Sequence, residues 1–130
     1  ICFSIGKVSL MFRYFNPNPY GKNVGDCVIR AICKATNKEW ESVFLDICVQ
    51  GLFEGDMPSA NYVWGKWLFK NGFRKYWIEG YTVKEFAEEN PEGTFILMVG
   101  EHAVCLQNGN WYDTFDSGNE TIFFFYRKEC

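Results

Sequence analysis

One cysteine and the chain's only histidine stand where residues of their types can do nucleophilic chemistry. Cys27 follows Gly25-Asp26 and opens a run whose apolar positions, Val28, Ile29, Ala31, Ile32 and Ala35, have helical spacing. A thiol attacks only as its thiolate, and at neutral pH a free cysteine is mostly protonated. The start of a helix favours the thiolate, because its unpaired N–H groups and the positive end of the macrodipole attract negative charge. Asp26 is placed to cap this helix. Unless its carboxylate turns away to do so, its charge opposes ionisation of the thiol. Arg30, one turn further on, reads as an ion-pairing residue on the helix surface.

A base for Cys27 must come from far along the chain, since nucleophile and base meet in space rather than in sequence. His102 is the sole imidazole and lies in the strand-like run Gly100-Glu101-His102-Ala103-Val104. A third group must orient it. The next run, Trp111 to Ser117, carries both Asp113 and Asp116, and the hairpin between the runs decides which serves. With Asn108-Gly109 alone as the turn, Val104 faces Asp113, which then shares His102's side of the ribbon but lies diagonally from it. With a turn from Asn108 to Asn110, His102 faces Asp116 directly. Direct opposition favours Asp116, with Asp113 as the alternative. The Cys27 backbone N–H is one donor for an oxyanion, and Asn23 is the nearest upstream side-chain amide, with Asn18 behind it.

The elements that must position these groups follow from periodicity and punctuation. Residues 12–15 are extended, and Asn16-Pro17-Asn18-Pro19 leads into a loop through Gly25. A helix begins near Asp26. A second starts at about Lys38 with Asn37 as its cap, carrying the stripe Trp40, Val43, Phe44, Ile47 and Cys48. Gly51 to Pro58 reads as loop, and a third helix runs from after Ser59 to near Gly72. Phe73 to Ile78 is a short strand, and Thr82-Val83-Lys84-Glu85 is a capping box that predicts a helix over 83–89. Strands are expected at Thr94–Val99, His102–Gln107, Trp111–Phe115 and Thr121–Tyr126. Helices first and strands second predict an α+β domain, N-terminal helices packed on a C-terminal antiparallel β-sheet.

The chain of 130 residues, 48% hydrophobic and 22% charged, suits one domain with its own core. Aromatic residues make up 19%, enough to fill that core and line a cleft. A net charge of −3 with scattered Lys and Arg gives no pull toward nucleic acid or an anionic membrane. The cysteines at 2, 27, 33, 48, 105 and 130 form neither a C-x-x-C pair nor a zinc-ligand spacing, so no metal or other cofactor is expected. They read as reduced thiols of a cytoplasmic protein, although Cys2 and Cys130 have the placement to bridge the termini. Residues 1–10 are too short and mixed for a membrane span and read as an extension before Met11.

Gly25-Asp26-Cys27-Val28-Ile29-Arg30-Ala31-Ile32, then His102-Ala103-Val104, then Tyr112-Asp113-Thr114-Phe115-Asp116-Ser117, resembles the papain-like cysteine peptidases, in particular a small group common in bacteria and phages. The chain is also similar to the minimal cores of leader-peptide-processing peptidases and transglutaminases. The resemblance spans roughly residues 20–127. It implies a papain-like fold and hydrolysis or transfer of a peptide, amide or thioester acyl group through an acyl-enzyme. The family's oxyanion glutamine has no counterpart before Cys27, since the glutamines are Gln50 and Gln107. Asn23 would take its place, and a papain-like module that binds protein without catalysis is the other expectation.

Overall fold

The computed structural model describes residues 10–129. The elements run β1 (Phe12–Tyr14), α1 (Cys27–Thr36), α2 (Trp40–Glu54), α3 (Asn61–Lys70), β2 (Phe73–Trp77), α4 (Val83–Glu89), β3 (Thr94–Val99), β4 (His102–Gln107), β5 (Asn110–Asp113) and β6 (Phe124–Lys128). The strands form one sheet in the order β1-β5-β4-β3-β6-β2. Cys2 and Cys130, and the expected extension before Met11 apart from Leu10, lie outside the described residues.

The α+β class holds, but the sheet is mixed rather than antiparallel. β1 runs parallel to β5, with Phe12 beside Trp111 and Tyr14 beside Asp113. β1 and β2 also come from the helical half of the chain, so helices and strands are less segregated than their sequence order suggests.

Both faces of the sheet are covered. Ile96 and Met98 of β3, with Ala103 and Cys105 of β4, are buried together with side chains of α1, α2 and α3. The alternate residues Phe95, Leu97, Val104 and Leu106 are buried with Val83, Phe86 and Ala87 of α4. A strand covered on both faces is apolar without alternation, which is why β3 and β4 read as continuous hydrophobic runs.

Local chemistry explains the helix ends. Thr82 Oγ1 accepts from the Glu85 N–H at 3.2 Å, and Glu85 Oε1 accepts from the Thr82 N–H at 3.0 Å, so the expected capping box starts α4. Asn37 does not cap α2. It ends α1 in a left-handed conformation (φ 57°), and Glu39 takes the N-cap position of α2. α2 also continues past Gly51 to Glu54, into the segment expected to be loop. Gly51 is a packing position: a Cβ there would lie 2.7 Å from the Asp56 carbonyl oxygen. Among the described residues, no helix is long and apolar enough to cross a membrane.

Candidate active site

Cys27 is the first residue of α1, and Asp26 occupies the N-cap position without making a side-chain cap. The Asp26 carboxylate turns inward instead. Its Oδ1 accepts from Arg30 Nη1 at 2.6 Å and its Oδ2 from Trp40 Nε1 at 2.8 Å. Two consequences follow for the thiol. The Asp26 charge is compensated by a guanidinium, and no N-cap oxygen competes for the first-turn N–H groups of α1. Arg30 is not on the helix surface; its side chain is 4% exposed and reaches two carboxylates.

His102 opens β4, and its Nε2 lies 2.6 Å from Asp113 Oδ2. Asp113, not Asp116, is the partner. The hairpin pairs Gln107 with Asn110, Leu106 with Trp111 and Cys105 with Tyr112. The turn is therefore Asn108-Gly109 alone, both at positive φ (49° and 82°), the type I′ geometry of tight hairpins. That register puts Asp113 on the diagonal from His102. Continued past the end of β5, it carries Phe115 opposite His102, and the Phe115 ring lies 4.9 Å from the imidazole. Asp116 shapes the next turn: its Oδ1 accepts from Trp111 Nε1 at 2.8 Å and from the Gly118 N–H at 2.9 Å.

Asp113 is fully buried and saturated with donors. Oδ1 accepts from Arg30 Nη2 at 3.0 Å and from the Thr114 N–H at 2.8 Å. Oδ2 accepts from Ser117 Oγ at 2.9 Å in addition to its contact with His102. Burial alone would raise its pKa, but hydrogen bonds from His102, Ser117 and the Thr114 N–H, and the imidazole's charge, hold it below the ordinary carboxylate value.

The imidazole and thiol shift each other. The Asp113 hydrogen bond, then that of Cys27, raises His102 to about 9 against the opposing effect of partial burial. Burial pushes the Cys27 thiol up, yet its hydrogen bonds with His102 and the Ala103 backbone, and the positive charges of His102 and Arg30, bring it below its ordinary value. With Nε2 engaged by Asp113, Nδ1 is the nitrogen left to face the sulfur. The Cys27 Sγ also lies 4.0 Å from the Glu101 carbonyl, a long contact. The arrangement favours a thiolate–imidazolium pair. The two buried thiols among the described residues contrast sharply: burial raises Cys33 and Cys105 to about 12 each.

A cavity of about 280 Å³ opens beside Cys27, lined by the start of α1, Ile47, Pro58, Ser59, Asn61, Trp64, Met98 and Glu101. Of the residues before Cys27, it is lined only by Gly25 and Asp26. Asn23 lies in the exposed loop before α1 and Asn18 shapes that loop, its Oδ1 accepting from the N–H groups of Tyr20 and Lys22. Neither amide lines the cavity. Among the described residues, no cluster of three His, Cys, Asp or Glu side chains is arranged to hold a metal ion.

Arg30 and Ser117 are the site residues that a reading of the chemistry-bearing types passes over. The Asp26/Arg30 spacing of one helical turn is a legible signal for their pairing; Ser117 carries none, because its role depends on the path of the turn after β5. Compared with family models, curated proteins and solved structures, the chain matches none of them.

Proposed function

We propose that the chain is a papain-like cysteine hydrolase that cleaves a peptide, amide or thioester through an acyl-enzyme on Cys27. One observation carries this reading: a thiol at a helix start lies 4.0 Å from the carbonyl of Glu101, and the next residue, His102, has its Nε2 held by a buried carboxylate. That is the geometry of nucleophile, base and orienting group. The Cys27 thiolate adds to the substrate carbonyl. The developing oxyanion meets the first-turn N–H of Cys27, and neither Asn23 nor Asn18 lines the cavity to add a side-chain donor. His102 gives its proton to the departing amine or thiolate, leaving a thioester on Cys27. The neutral imidazole then takes a proton from water, which attacks the thioester, and the acid product leaves as the thiol is restored.

A second reading, a papain-like module that binds protein without turnover, draws on the absence of Asn23 from the cavity lining. An acyl trap separates the two. With 4-nitrophenyl acetate, a hydrolase releases a burst of nitrophenolate and carries an acetyl group on Cys27 by mass spectrometry. A binding module shows neither. Adding an alkylamine to the trapped acyl-enzyme tests for acyl transfer: a transferase forms the amide much faster on the folded chain than the amine attacks the same thioester after denaturation, and a strict hydrolase does not.

The simplest test is alkylation. Iodoacetamide at pH 7 labels Cys27 ahead of every other thiol, and peptide mapping locates the label. His102→Ala slows it about tenfold, because an ordinary thiol is only a few per cent thiolate at that pH, partly offset by its greater intrinsic nucleophilicity. Labelling of Cys27 no faster than that of half-buried Cys48, and indifferent to His102→Ala, would sink the hydrolase reading.

A further inference from the structure

We propose that Arg30 is a positioning residue of this site, holding Asp113, and through it the His102 imidazole, in line with Cys27. The inference rests on the hydrolase reading above and adds a group outside the nucleophile, base and orienting carboxylate.

Four observations carry it. First, Arg30 and Cys27 sit on the same helix, three residues apart and therefore on one face. The element that presents the nucleophile thus also grips the carboxylate that orients the base. Second, the grip is direct and dry: Arg30 Nη2 lies 3.0 Å from Asp113 Oδ1, with the two side chains 4% and 0% exposed. Third, it fixes a direction. Asp113 Oδ2 faces His102 and Ser117, while Oδ1 faces Arg30 and the Thr114 N–H. Donors on both oxygens stop the carboxylate from turning about its bond to the Cβ. Without Arg30, Oδ1 keeps only a backbone donor from the adjacent residue. Fourth, the guanidinium is itself held. Nη1 bonds Asp26 Oδ1 at 2.6 Å, and Trp40 Nε1 steadies the other Asp26 oxygen at 2.8 Å, so α2 braces the clamp.

The charge arithmetic points the same way. Asp26 and Asp113 are two buried anions, and Arg30 is the one permanent cation between them. Around the reacting pair, the charged groups are Asp26 and Arg30 from α1, Asp113 from the end of β5, and Glu101 from the turn between β3 and β4. Removing Arg30 leaves the His102 imidazolium as the one positive charge among these groups, against the carboxylates of Asp26, Asp113 and Glu101. A buried ion pair is a poor device for stability, since well-packed apolar side chains serve as well or better. A planar guanidinium that bridges two carboxylates, Nη1 to Asp26 and Nη2 to Asp113, suits it to orientation, a task that lysine performs less well.

The test is the rate of Cys27 alkylation by iodoacetamide from pH 5 to 10, beside thermal unfolding, for the wild-type chain, Arg30→Lys and Arg30→Met. The wild-type profile is the control for the underlying reading: if Cys27 is no more reactive than Cys48, the hydrolase reading fails and the inference with it. If wild-type Cys27 is activated, Arg30→Met should fold but displace the low-pH limb upward by about one unit, a tenfold loss of rate on that limb. Arg30→Lys should recover part of the shift, since it restores the charge without the fork. Should Arg30→Met not fold, Arg30→Lys decides alone: a displaced limb in a folded protein supports the proposal. Folded variants whose profiles superimpose on wild type would overturn it and leave the hydrolase reading standing. Failure of both variants to fold would also overturn it, by making Arg30 a residue of stability alone.

Discussion

At the scale of single residues, the proposed hydrolase turns on protons shared by Cys27 and His102. With the thiol shifted down and the imidazole up to about 9, their ion pair forms at a lower pH than an ordinary thiol would allow and is lost near 9. Hydrolysis should follow a bell in pH. It rises as the thiol ionises, at a pH below that of an ordinary cysteine, and falls with a midpoint near 9 as His102 loses the proton it must give to the leaving group. These midpoints belong to the coupled pair rather than to either residue alone. Asp113→Asn removes the largest cause of the imidazole's shift. The upper limb should then move down toward the ordinary value of about 6.5, and the rate should fall on the order of 10²- to 10⁴-fold. Asp116→Ala should do neither, and instead cost about 1 kcal/mol of stability per lost turn bond; kinetics and denaturant melts on both variants check the contrast. Cys27 and His102 were legible because each sits at an element boundary and only one histidine exists. The carboxylate differs from the sequence expectation for a physical reason. Direct opposition seemed to demand Asp116, but Asn108-Gly109 is the strongest signal for the tighter turn, and a diagonal neighbour on a twisted ribbon is still within reach.

At the scale of elements, the close approaches are what sequence patterns conceal. Gly65 lies in mid-helix in α3, where glycine ordinarily weakens a helix by roughly 1 kcal/mol relative to alanine. A Cβ there would stand 2.5 Å from the Tyr126 hydroxyl on β6. That ring is buried edge-on against Trp64 and has little room to retreat. Gly65→Ala should therefore lose about 1–3 kcal/mol from overpacking despite its better helix propensity, as read by urea unfolding. The same concealment explains Gly51, which looks like a helix stop and is instead the place where α2 lets the following loop lie close. α2 hides a second feature. Val43 and Ile47 of the expected stripe are buried, but Phe44 is 41% exposed and Cys48 is half-buried. A separate apolar row on α2, Leu45, Val49, Leu52 and Phe53, faces outward. A helix apolar on both sides has no single periodic face, so the stripe alone could not say which side is covered. By contrast, α4 was legible to its ends, because a capping box is a local device that needs no partner.

At the scale of the whole molecule, the layered core and the surface pull on different measurements. Leu52 and Phe53 are 83% and 81% exposed. Leu52→Glu with Phe53→Glu should leave stability within about 0.5 kcal/mol and Cys27 alkylation unchanged, while reducing the binding of an apolar dye such as ANS. A large fall in melting temperature would mean that the row is covered in solution. The overall class was legible from the order of helical and strand patterns, whereas the sheet's parallel edge was not. β1 is only Phe12–Tyr14, and nothing in so short a run names a partner that lies at Trp111–Asp113. That pairing ties the site to nearly the full span of the chain. The thiol lies at residue 27, its base at 102, its carboxylate at 113 and the serine that steadies it at 117. Contacts this distant in sequence form late, after their loop-closure cost has been met. Under the proposed reading, Cys27 emerges from the ribosome long before the groups that would ionise it, and passes through folding as an ordinary thiol. On that reading, activation of Cys27 would report that β4 and β5 have docked against α1.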